Sequence, residues 1–115
     1  MGFHFSHKAT TAQPGRLAER IAAGGALLVE FAEHDAPACR LQEPVLDQVL
    51  RHFADRLSVV QADVETSPAD AAAFSVSAVP TFILFLDKVE KLRLVGYQSV
   101  DDLTRAVDEA LAPAS

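Results

Sequence analysis

Three short apolar runs constrain this chain more than any other feature: "ALLVEFA" (Ala26–Ala32), "LSVVQADV" (57–64) and "TFILFL" (Thr81–Leu86). Each has the length and the β-branched or aromatic content of a strand, and none approaches the roughly 20 residues needed to cross a bilayer. Their apolar residues are near-continuous rather than alternating, so both faces of such strands must be covered. A sheet sandwiched between two layers of helices satisfies that demand. Glu30 interrupts the first run, and a carboxyl buried there should have a raised pKa because desolvation penalises its charged form.

The segments between the runs supply the helices. Leu17, Ala18 and Ile21 are spaced for a first helix that follows Pro14 and stops at Gly24 and Gly25. Over 36–54, Leu41, Val45, Leu46, Val49, Leu50 and Phe53 recur at intervals of three and four, with Asp35 placed to cap the helix and Pro44 inside it. In "SPADAAAF", Ser67, Pro68 and Asp70 form a regular helix start. "DK" turns the third run into "VEKLRLV", whose alternation predicts an edge strand ended by Gly96. Ser99 and Asp102 have capping-box spacing, and Leu103, Val107, Ala110 and Leu111 share one face of the last helix.

Phe3 and Phe5 alternate with polar neighbours and suggest one more short edge strand in an otherwise irregular segment, 1–14. The order β-α-β-α-β-α-β-β-α predicts one α/β domain over 1–115. It should have a mixed central sheet of about five strands and about four helices on both faces. At 115 residues the chain can bury one core and no second domain is expected.

A net charge of −6 without any basic run argues against nucleic acid or an anionic membrane as partner. "MGFHFSHKATT" does not read as a secretory signal, and a single cysteine allows no internal disulfide, so a cytoplasmic location is expected. His34 and Cys39, even joined by Glu33 or Asp35, fall short of a four-ligand zinc set. No metal and no cofactor are expected, His4, His7 and His52 read as solvated, and no phosphate-binding glycine loop or serine elbow is present. No feature bears on oligomeric state.

Over 17–111 the strand "LLVEFA", the junction ending "PACR", the mid-helix proline of "EPVLDQV", then "LSVVQADVE", "SVSAVPTFILF" and "VGYQSVDDL" follow one another in an order and spacing that resembles the thioredoxin family. The resemblance implies the thioredoxin fold and a cis peptide bond between Val79 and Pro80. It also implies that the family's Trp-Cys-Gly-Pro-Cys motif falls on Asp35, Ala36, Pro37, Ala38 and Cys39. The family's attacking cysteine is thus Ala36 here, its resolving cysteine survives as Cys39, and tryptophan is absent from the chain. The family's buried acid falls on Glu30, and a lysine often near it falls on Gln61.

At about 100° per residue, Cys39 nearly superposes on Leu46 and lies close to Leu50, so the thiol should point into the core. Buried thiols behave as small hydrophobes with raised pKa values. Two functions follow from the resemblance. In the favoured one the chain is a non-catalytic peptide- or protein-binding or chaperone-type module. Its groove would lie between the motif loop (Asp35, Ala36, Pro37) and the cis-proline loop (Val79, Pro80), with Ala38, Phe74 and Tyr97 adding to an apolar rim. The alternative is thiol-disulfide redox chemistry by Cys39 alone, through a mixed disulfide or glutathionylation, with Glu30 as the assisting acid. In either case the partner is a protein or an extended peptide.

Overall fold

The computed structural model describes residues 9–13 and 15–113. Its elements are β1 (Ala9–Thr11), α1 (Leu17–Ala22), β2 (Ala26–Ala32), α2 (Pro37–Phe53), a 3-10 turn (Ala54–Arg56), β3 (Ser58–Asp63), α3 (Pro68–Ala73), β4 (Thr81–Leu86), β5 (Val89–Val95) and α4 (Val100–Leu111). The strand expected at Phe3 and Phe5 lies outside the described residues; among the described residues of that segment, Ala9–Thr11 forms a strand.

The five strands form one mixed sheet in the order β1-β3-β2-β4-β5. β3 runs parallel to β1 and β2, while β4 is antiparallel to both β2 and β5. Because successive side chains of a strand point to opposite faces, the near-continuous apolar runs feed two cores at once. Leu28, Val59, Phe82 and Leu84 meet α2 and α4 through Val45, Leu46, Val49, Phe53, Leu103 and Val107. Leu27, Val29, Phe31, Val60, Ile83 and Phe85 meet α1 and α3 through Leu17 and Ala71. Helices therefore cover both faces, as the element order predicts.

Local chemistry sets the boundaries. Gly24 and Gly25 both adopt positive φ, +81° and +78°, at the turn from α1 into β2. Gly25 N–H donates to Asp87 Oδ1 at 2.9 Å, tying the start of β2 to the β4–β5 hairpin. Ser99 Oγ accepts from Asp102 N–H at 3.1 Å and caps α4 as expected. Two other expected caps differ. The N-cap of α2 is Ala36, with extended backbone and no capping side chain, while Asp35 is exposed one residue earlier in the turn. Ser67 does occupy the N-cap of α3, but its side chain makes no capping bond and its buried Oγ has no partner among the described residues.

The buried face of α2 comprises Cys39, Gln42, Val45, Leu46, Val49, Leu50 and Phe53, and the helix runs continuously past Pro44. Leu41 departs from its expected place and is 66% exposed. It precedes Gln42 by about 100° on the helix wheel, which takes it off that face. Among the described residues no helix is long and apolar enough to cross a membrane.

Register explains where a site can form. Ala32 pairs with Asp63, Phe31 with Thr81, and Thr81 with Val95. The ends of β2, β3 and β5 and the beginning of β4 therefore lie along one edge of the sheet. The loops 33–36, 64–67, 74–80 and 96–99 emerge together there.

Candidate functional site: a groove at one end of the sheet

At that end Ala32 and Cys39 are buried together, and Ala36 and Val79 pack against them. Residues from the turn before α2 and from the loop before β4, more than 40 apart in sequence, thus share one cluster. Glu33 N–H donates to Cys39 Sγ at 3.4 Å, and Val64 N–H donates to the Ala32 carbonyl at 3.0 Å. The Val79-Pro80 peptide bond is cis. Pro80 is buried, its carbonyl accepts from Gly96 N–H at 2.7 Å, and Thr81 Oγ1 donates to the Ala78 carbonyl at 2.6 Å. Among the described residues, no hydrogen bond engages the N–H or C=O of Val79.

These contacts bring the turn before α2, with exposed Asp35, half-buried Ala36 and exposed Pro37, against the proline loop, where Val79 is half-buried and Pro80 buried. The Gly96 to Pro80 bond sets Tyr97, 48% exposed, at the side of the proline turn. Ala38 is half-buried behind Pro37. Half-buried Phe74 packs its ring against Phe31 at 6.0 Å and Phe85 at 5.7 Å between centroids, against the core covered by α1 and α3 rather than the cluster of Ala32, Cys39, Ala36 and Val79.

Cys39 is 0% exposed. Burial pushes its thiol above the ordinary range; the Glu33 N–H works in the opposite sense, and the carboxylates of Glu30, Glu33 and Glu43 reinforce the rise. Glu30 lies deeper, on the sheet face toward α2, opposite Gln61 in the β2–β3 register. Gln61 Nε2 donates to Glu30 Oε1 at 2.9 Å. Glu30 is 0% exposed, and burial raises its pKa to about 8 against the lowering effect of Gln61, with Glu43 adding to the rise. Among the described residues, Glu30 Oε2 and Gln61 Oε1 are buried without partners. At neutral pH the interior beneath the groove thus holds a neutral carboxyl and a neutral thiol.

Gln42, a site residue the sequence reading passes over, is fully buried on α2. Its Nε2 donates to the Gln98 carbonyl and its Oε1 accepts from Gln98 N–H, both at 2.8 Å. One side chain thereby clasps the 96–99 loop to the helix that carries Cys39. The signal was present in the helical wheel, since Gln42 precedes Val45 by three and Leu46 by four.

Beside Val79 the surface sinks into a hollow of about 170 Å³ lined by Glu33, Val64, Val76, Ser77 and Ala78 together with Val79 itself. A larger hollow, about 610 Å³, lies between α2 and α4 and includes His52, Arg105 and Asp108, but no residue of the groove. Among the described residues no group of three or more His, Cys, Asp or Glu side chains is arranged to hold a metal ion.

Comparison with known proteins matches the thioredoxin family model to residues 9–109. The thioredoxin of Chlamydia trachomatis is 35% identical over 92 residues, which cover 80% of this chain and 88% of that protein. The thioredoxin of Staphylococcus haemolyticus is 30% identical over 87 residues, covering 76% and 84% respectively. Among solved structures, a mutant thioredoxin from Halobacterium salinarum superposes with a TM-score of 0.84 at 23% identity, covering 99% of this chain and all of that one. Chloroplastic thioredoxin z gives 0.79 at 23% identity, covering 93% and 97%. The fold is the thioredoxin fold.

Proposed function

Since this chain belongs to the thioredoxin family, we propose that it is a peptide- or protein-binding module of chaperone type, which holds an extended segment in its groove without dithiol chemistry. One observation carries this reading. A methyl group, Ala36, occupies the N-cap of α2 where the family's attacking thiol belongs, and the thiol that remains, Cys39, is wholly buried. Disulfide exchange requires a thiolate that reaches its substrate and a second thiol that releases the adduct. Neither step is supported by this pair of residues.

Binding needs no thiol. An extended segment can add to exposed backbone by strand-like pairing, and the Val79 N–H and C=O are available for it among the described residues. Asp35, Ala36 and Pro37 would flank the segment on one side and Val79 and Pro80 on the other, with Tyr97 at the end. The alternative, a mixed disulfide on Cys39, would need a solvent-facing thiolate; its burial and raised pKa weigh against that. We place the activity in the cytoplasm, where a fold without a disulfide is at home.

Two measurements test the reading. Insulin-disulfide reduction should be at background for the natural chain and should appear in Ala36→Cys; substantial turnover by the natural chain would overturn it. Proteins retained by the immobilised chain should be lost with Val79→Asp, and retention of the same set by that variant would count against the groove.

A further inference from the structure

The hollow beside Val79 opens directly off the groove, and its lining has a definite chemical order. Val64 and Val76 are apolar walls, Ser77 adds a hydroxyl, and Glu33 adds a carboxylate. The Glu33 backbone is pinned by its N–H bond to Cys39 Sγ, while among the described residues its carboxylate has no hydrogen bond or ion pair. The surroundings have the same sign. Asp35 follows Glu33 in the turn before α2, Asp63 and Glu65 flank the lining residue Val64, and Glu43 lies on α2 close enough to raise the Cys39 pKa. Two permanent cations stand near these groups: Arg40 on α2, and Arg93 of β5, which donates to the Phe74 carbonyl at 2.7 Å and is neutralised by its ion pair with Glu90 at 3.0 Å; the segments 74–80 and 96–99 have no charged side chain of their own.

Resting on the groove reading above, we propose that the segment held there is cationic, and that a lysine or arginine of the partner enters the hollow beside Val79. Its aliphatic stem would lie on Val64 and Val76, and its charged head would meet Glu33. Long basic side chains are suited to this division, because their methylenes cover apolar surface while the head stays polar. The surrounding carboxylates would draw such a segment in and repel an acidic one.

The test uses the full chain and two dye-labelled, cysteine-free extended peptides of about ten residues, one alternating valine with lysine and the other valine with glutamate, titrated by fluorescence anisotropy. The lysine peptide should bind at least about 10-fold more tightly and lose affinity as salt is raised to about 0.15 M. Glu33→Gln should weaken it about 3- to 10-fold, whereas Asp101→Asn on α4 should leave it unchanged. Equal affinity for the two peptides would overturn the charge inference and leave the groove standing. So would an unaltered Glu33→Gln alongside a Val79→Trp variant, uncharged and filling the hollow, that no longer binds. If neither peptide binds the natural chain, both readings fail.

Discussion

Replacing Glu30 with glutamine should stabilise the protein, by an amount that grows with pH. Burial holds the Glu30 pKa at about 8 in the folded chain, against 4.5 for an ordinary glutamate. The sign follows from proton counting. Below about pH 4.5 both folded and unfolded chains hold the proton, and no penalty exists. Between there and about pH 8 the unfolded chain has released a proton that the folded chain keeps, so stability falls as pH rises. Above about pH 8 both states are ionised and the penalty stays constant.

Each pH unit within the window costs about 1.4 kcal/mol, which makes the penalty about 3 kcal/mol at pH 7 and at most about 5 kcal/mol at the plateau. Against a total stability of about 5 to 15 kcal/mol this is large. Glutamine is close in size and never ionises. Its amide oxygen can keep the bond that Gln61 Nε2 donates to Glu30 Oε1. Urea unfolding of both proteins at several pH values from about 5 to 8 measures the difference directly. The gain should climb from under about 1 kcal/mol at the acid end by about 1.4 kcal/mol per unit. A difference that stays flat across this range would refute the reasoning, since it would mean that Glu30 titrates alike in both states.

Three further outcomes are expected. Cys39 should react with iodoacetamide at least about 100-fold more slowly in the folded protein than in urea, followed by intact mass, because the thiol is both buried and held protonated. Gln42→Leu should cost about 1 to 3 kcal/mol in thermal or urea unfolding and speed amide exchange at Gln98, whose N–H and C=O both lose their partner. Ser99→Ala should cost about 1 kcal/mol through the lost cap on α4, measured by the same unfolding curves.

Much of the fold was legible because it depends on short-range patterns. β2 and β4 have the bounds of their apolar runs. The turn at Asp87 and Lys88 and the cap at Ser99 also lie where their residue types put them. Side-chain partnerships were less legible. Asp35 has the right chemistry for a cap, yet the helix starts one residue later, and Ser67 has the right position but makes no capping bond. Leu41 fits a list of apolar spacings, but the buried arc of α2 is the one that meets the sheet and α4, and that arc takes in polar Gln42 instead. Phe74 could be assigned to a rim or a core, and two phenylalanines from β2 and β4 hold its half-buried ring against the core covered by α1 and α3.

By itself the sequence determined the layered α/β architecture, the inward direction of Cys39 and the absence of a thiol at residue 36. These follow from periodicity and residue type, which act within a few residues. Tertiary structure alone decided that Ala36 and Val79 share a cluster, that Gln42 clasps Gln98, that Gln61 meets Glu30, and that a hollow with Glu33 in its lining opens beside the groove. Those pairs are separated by about 30 to 60 residues, and only the mixed parallel and antiparallel register brings their loops and strands together. A helix or strand period records which way a side chain points, but its partner is set by what the sheet order places opposite it.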